Sequence, residues 1–222
     1  MVDFVFYNIG WPNERMAECF IKSIRNHMPD ARITQLSDMY TQEVEGVDRV
    51  RRAPSPFPLE RNFLHYNAYS YLANLDLETC IFTDMDMLYG GNVEDVLADD
   101  FDVALCRRGR NDGMKGRVRR RWPYCSAMFV KTSQFWKDCY KTMLELKNRE
   151  WANNMEAVAL VVNSGKYRVK FLDPQVYNYL PRGLSSFYPT VKIYHFKSRR
   201  VDNRHLWMDT FYDKHMQKVI ND

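Results

Sequence analysis

Cys80-Ile81-Phe82-Thr83-Asp84-Met85-Asp86-Met87-Leu88-Tyr89-Gly90-Gly91 is the stretch on which the reading of this chain turns. Thr79-Cys80-Ile81-Phe82-Thr83 is short and mostly apolar, the pattern of a central strand. It runs directly into two carboxylates spaced i and i+2. In an extended chain such side chains point the same way, and in open α/β sheets ligands bind at the carboxyl ends of the strands. Two like charges this close repel unless a cation sits between them, and a divalent hard cation satisfies both. Taken alone, an Asp-x-Asp is more often a pair of solvated turn aspartates. The apolar lead-in and Gly90-Gly91 behind it favour a metal site.

On the N-terminal side, residues 2–8 (VDFVFYN) form an apolar, aromatic run that ends in Asn8-Ile9-Gly10, a buried strand and then a turn. Asn13 can cap a helix in which Met16, Phe20 and Ile24 repeat on one face, and Pro29 ends it. A short strand near Arg32–Leu36 completes a parallel crossover unit. Residues 47–52 are a further strand candidate, closed by the proline-rich 54–58. A helix is expected from about Glu60 to Leu75. On the C-terminal side, Phe101–Cys106, Tyr124–Lys131, Tyr167–Leu172 and Lys192–Phe196 read as strands. Residues 133–147 and 151–164 read as helices, the second stopped by Gly165, and a short helix is expected near 208–219. Strands and helices alternate, so the expected fold is α/β, a mostly parallel central sheet flanked by helices. We expect one domain over residues 1–200, with 201–222 as its C-terminal helical tail.

The chain has 222 residues, 45% of them hydrophobic and 14% aromatic, enough for a sizeable core. A disordered protein or a disulfide-stapled scaffold is thereby excluded. No apolar run approaches the ~20 residues of a membrane helix, and Met1-Val2-Asp3 opens with neither a basic nor an apolar leader region. The five cysteines, Cys19, Cys80, Cys106, Cys125 and Cys139, are odd in number and include no Cys-x-x-Cys. The expectation is a reducing, cytoplasmic setting without disulfides or a zinc site.

The net charge is +4, but the excess is local. Residues 107–121 hold eight cations (Arg107, Arg108, Arg110, Lys115, Arg117, Arg119, Arg120, Arg121) against Asp112 alone. Three roles stay open for this segment: a solvated loop, a lid over a diphosphate or anionic acceptor, or a contact with a polyanion such as an acidic membrane surface. Aromatic residues are scarce before Trp122, so no nucleic-acid partner is expected.

With these residues in view, the sequence resembles the nucleotide-sugar glycosyltransferases of the GT-A, Rossmann-like fold, and most closely the family 8 type. Ile81-Phe82-Thr83-Asp84-Met85-Asp86 matches that family's strand-ending Asp-x-Asp. Gly91-Asn92-Val93-Glu94-Asp95-Val96-Leu97 matches the glycine and helix-like turns that come next in the family. Val191-Lys192-Ile193-Tyr194-His195-Phe196-Lys197 matches a C-terminal strand ending in His, although the usual Gly and Lys-Pro-Trp are absent. Tyr124–Val130 sits where the family has a small-residue strand, and Asp173–Pro181 resembles its Asn-Tyr-Leu-Pro stretch.

The resemblance implies a sugar transferred from a nucleoside-diphosphate donor, with UDP the expected nucleotide, to a glycan or other hydroxyl acceptor, and Mn²⁺ or Mg²⁺ as cofactor. It implies that Asp86 binds the metal directly, that Asp84 contacts ribose and metal, and that His195 is the third protein ligand. Lys197, Arg199 or Arg200 would hold the diphosphate. Tyr7, Asn8 and Gly10 would meet the uracil and ribose, and Asp38 and Tyr40 would hydrogen-bond and stack on the base. Arg61 and Asn62 would face the same edge. Ser126 would line the sugar pocket, and Asn154 and Glu156 would contact donor sugar or acceptor. A retaining outcome is implied by family 8 alone; in an inverting enzyme Glu156 would serve as base.

Two rival functions remain from the residues. A haloacid-dehalogenase-type phosphatase also places two aspartates after an apolar strand, but it wants Thr or Val four residues after the first, where this chain has Leu88. A non-catalytic anion-binding module built on the basic segment is the other.

Overall fold

A computed structural model describes residues 2–10, 14–60, 63–75, 77–108, 123–147, 153–196 and 204–217. Strand β1 (Asp3–Tyr7) leads to helix α1 (Glu14–His27), β2 (Arg32–Ser37) and β3 (Arg49–Arg52). Next come helix α2 (Leu64–Asn74), β4 (Cys80–Phe82), β5 (Met87–Tyr89) and a 3₁₀ turn over Glu94–Ala98. The second half holds β6 (Val103–Arg107), β7 (Tyr124–Val130), α3 (Ser133–Glu145), α4 (Asn153–Asn163) and β8 (Val169–Leu172). It closes with α5 (Pro174–Tyr177), β9 (Ile193–His195) and α6 (Arg204–His215).

Among the described residues, seven strands form one sheet in the order β3-β2-β1-β4-β7-β6-β8. Neighbours β3, β2, β1 and β4 run parallel, β7 is antiparallel to both β4 and β6, and β8 is parallel to β6. Only β7 opposes the rest. The carboxyl ends of the other six therefore meet at one edge, with the start of β7 among them. This is a mixed, mostly parallel α/β fold, as expected.

The two-residue period of the strands decides which helix each face meets. Phe4, Phe6, Ile81, Ala104, Cys106, Ala127 and Phe129 pack on the α1 side with β5, β9 and α6. Their neighbours Val5, Cys80, Phe82, Val103, Leu105, Met128 and Val130 pack on the opposite side with α2, α3 and α4. Burial on both faces explains why these strands read as unbroken apolar runs. Helix α1 buries Met16, Phe20 and Ile24 as its periodicity predicts, and Gly165 adopts φ +75° just past α4. The Asn13 cap lies outside the described residues. The cysteines Cys19, Cys80, Cys106 and Cys139 are buried and in no disulfide, and burial pushes the thiols of Cys19 and Cys80 up to about 12.

Three features differ from the pattern-based expectation. The Lys192–Phe196 candidate forms β9, but outside the main sheet: it pairs antiparallel with β5 in a separate two-stranded sheet. Strand β5 itself has only three residues and carries no period of its own. The terminal helix begins earlier than expected, at Arg204, and lies against α1, where Arg15 meets Asp213 at 2.6 Å. Among the described residues no helix is long and apolar enough to cross a membrane.

Candidate metal centre

Strand β4 ends at Phe82, and the Thr83 N–H donates to the Val5 carbonyl at 3.0 Å, the last rung tying it to β1. The chain then turns through Met85 and Asp86 before β5 begins. The aspartates thus lie on a turn, not on an extended strand whose alternation would point them the same way. What brings the ligands together is β9. Its register places His195 opposite Met87, and the Phe196 N–H donates to the Asp86 carbonyl at 2.7 Å, one rung further.

One ligand atom each from Asp84, Asp86 and His195 lies within 4.8 Å of the others. His195 Nε2 stands 3.2 Å from Asp86 Oδ1, with the imidazole buried and the Asp86 side chain 14% exposed. The other ring nitrogen, Nδ1, meets Asn178 Oδ1 at 2.7 Å. The group contains no cysteine. Two carboxylates and one imidazole form a donor set of the kind Mg²⁺, Mn²⁺ and other divalent cations accept. A buried imidazole nitrogen facing a carboxylate across 3.2 Å suits a shared cation, so the residues fit a metal.

The other expected site residues divide by location. At the end of β1, the Tyr7 hydroxyl is hydrogen-bonded to His65 Nε2 at 2.8 Å, and its ring stacks on Phe82, immediately before the aspartate turn. Asn8 is buried, and among the described residues its Oδ1 meets no hydrogen-bond donor. Its backbone carbonyl accepts from Ser37 Oγ at 2.8 Å. Gly10 adopts φ +64° and donates its N–H to Thr41 Oγ1 at 2.7 Å. A Cβ there would meet nothing within 4 Å, so the left-handed backbone, not crowding, is the reason for glycine.

Asp38 is engaged locally. Its carboxylate accepts from the Tyr40 N–H, the Thr41 N–H and the Thr41 hydroxyl at 2.6–2.7 Å, shaping the loop after β2. Burial opposes its ionisation, but these donors and Arg52 outweigh it and hold the carboxyl below its usual range. Tyr40, beside it, is 88% exposed, a free ring at the ligand edge.

Asn154 and Glu156 occupy the first turn of α4, which is pinned to α2 by the Asn153 carboxamide donating to the Tyr66 hydroxyl at 2.7 Å. Tyr69, buried on α2, is within electrostatic reach of both Asn154 and Asp84. Burial pushes its hydroxyl well up, the charges of Cys139, Asp84 and Tyr7 add to this, and Asn154 works against it. Arg61, Asn62, Lys197, Arg199, Arg200 and residues 109–121 lie outside the described residues, as does the side chain of Ser126. His65 and Asn178 join the site without being expected there from sequence. The only signal for Asn178 is its place in the Asp173–Pro181 stretch, and His65 carries none.

No family model matches the sequence, and no curated protein matches it. Solved structures do. The glycosyltransferase GlyE of Streptococcus pneumoniae TIGR4 is 16% identical, with a TM-score of 0.60 over 95% of this chain and 60% of its own. The galactosyltransferase LgtC, solved with donor and acceptor sugar analogs, is 13% identical, with a TM-score of 0.60 over 96% of this chain and 95% of its own. The bifunctional glycosyltransferase WbbM is 13% identical, with a TM-score of 0.60 over 99% of this chain and 50% of its own. The chain therefore spans about 60% of GlyE and half of WbbM. At these identities the likeness is one of fold.

Proposed function

We propose that the protein is a metal-dependent glycosyltransferase, moving a sugar from a nucleoside-diphosphate donor, UDP-linked, to a hydroxyl of a glycan or glycoconjugate. The observation that carries this reading is the convergence of Asp84 and Asp86 with His195, remote from both in sequence, beyond the carboxyl end of β4 in a sheet of this fold. A divalent cation held by these three residues would supply positive charge to the departing diphosphate. The chain's own residues do the rest. Tyr7, Asn8 and the exposed Tyr40 ring offer hydrogen bonds and a stacking face to the nucleoside. Asn154 and Glu156 face the sugar and acceptor from α4. By the family resemblance, Lys197 and Arg199 would supply positive charge to the diphosphate. The family resemblance favours retention and Mn²⁺.

The test is turnover of a uridine nucleotide sugar with Mn²⁺ against chelator, with a phosphomonoester and Mg²⁺ as the control for phosphatase chemistry. Asp86→Ala is expected to abolish sugar turnover and leave the melting temperature near that of the unchanged chain, since a like-charge repulsion is removed along with the ligand. Full activity of Asp86→Ala in chelator would sink the metal reading.

A further inference from the structure

His195 presents two nitrogens to two different neighbours, and the difference assigns a role to Asn178. Nδ1 faces the Asn178 carboxamide at 2.7 Å, and Nε2 faces Asp86 at 3.2 Å. Both side chains are almost wholly buried, Asn178 at 4% and His195 at 2% exposure. A neutral imidazole carries one proton, so one nitrogen donates while the other keeps the lone pair a cation needs. The carboxamide presents its oxygen, which accepts and cannot donate. With the proton drawn to Nδ1, the lone pair is left on Nε2, on the side of Asp84 and Asp86.

The backbone holds Asn178 against the strand that carries His195. Asp173 caps α5, accepting from the Gln175 N–H at 2.8 Å. The Lys192 N–H donates to the Val176 carbonyl, the Tyr179 N–H to the Ile193 carbonyl and the His195 N–H to the Tyr179 carbonyl, at 2.8–3.0 Å. These bonds lace β9 to the segment on both sides of Asn178. The backbone that carries the carboxamide is thus tied directly to the strand that carries the imidazole.

We propose that Asn178 is the positioning residue of the metal centre: its oxygen keeps the proton on His195 Nδ1 and so dedicates Nε2 to the cation. This rests on the metal reading above. Outer partners of ligating histidines fix tautomer and ring orientation in the same way, and their loss typically weakens metal binding about 10–100-fold.

The experiment measures Mn²⁺ affinity by electron paramagnetic resonance on the full chain and on two variants, with metal-free melting curves alongside. Asn178→Leu is expected to weaken Mn²⁺ binding about 10-fold. Asn178→Asp, an obligate acceptor of the same shape, is expected to bind at least as tightly as the unchanged chain. A merely structural polar group would not separate the two variants in this direction. In the Cd²⁺-loaded, ¹⁵N-histidine-labelled protein, the His195 proton is expected on Nδ1. Unchanged affinity in Asn178→Leu, a loss in Asn178→Asp as deep as that in Asn178→Leu, or a proton on Nε2 would each overturn the proposal. Failure of the unchanged chain to bind Mn²⁺ would overturn the metal reading itself, and the proposal with it.

Discussion

His195 is the residue at which pattern and contact part company. Its type and its place at the end of a strand mark it as a candidate ligand, but a lone histidine in an apolar segment is more often a satisfied core imidazole. Here the ring is buried with Nε2 toward Asp86. His195→Ala is expected to weaken Mn²⁺ binding at least as much as the 10–100-fold typical of losing an outer partner, read by metal titration. An unchanged titration would make it a core histidine. The aspartate pair is legible in the sequence because an apolar strand runs straight into it and Gly90-Gly91 follow it. Asn178 is not, because its role exists only through a contact with a side chain seventeen positions away. Asp38 shows the reverse. Its placement at the ligand edge is legible, but its oxygens are engaged by the backbone and hydroxyl of the loop after it, which no spacing announces.

At the scale of elements, the site depends on the β5–β9 pair, and that pair depends on Gly90. A Cβ on Gly90 would lie 2.7 Å from a Tyr194 ring carbon and 2.8 Å from the Val191 carbonyl, both held by packing. Tyr194 cannot swing away, since its hydroxyl donates to the Tyr188 carbonyl at 2.7 Å and accepts the Tyr188 N–H at 2.8 Å. At Gly91 the nearest contact would be an ordinary 3.5 Å. Gly90→Ala is therefore expected to cost about 1–3 kcal/mol as an overpacked position, with weaker Mn²⁺ binding. Gly91→Ala should be much milder. Urea denaturation of both variants checks this, and equal losses would contradict the packing. The long amphipathic helices and two-sided strands are legible because their periods repeat over several turns. Strand β5 is hidden because three buried residues between an aspartate turn and two glycines have no period to read.

Over the whole molecule, the carboxylates fix how stability responds to acid. Glu18, Asp38, Asp48, Asp102 and Asp138 all sit below their usual range. At Asp138 burial pulls the other way and is outweighed by Lys166, Tyr167 and Gln134. A depressed acid contributes stability that is present above its unfolded value of roughly 4 and is lost as pH falls through the lower folded value. Burial lowers the pKa of His27, which has the same sign with an onset near its unfolded value of about 6.5. The melting temperature should therefore decline gently below about pH 6.5 and steeply below about pH 4. Asp138→Asn should flatten the acid limb, and a melting temperature that rises on acidification would contradict the assignment. The pairing of β5 with β9 also sets an order of events during synthesis. Asp84 and Asp86 leave the ribosome early, just after a strand that can already pair with β1. Their histidine partner lies near the other end of the described chain, and contacts so distant in sequence form late. A nascent chain can thus build most of its sheet before the third candidate ligand exists, and on the metal reading a cation could be held by all three residues only after translation has passed His195.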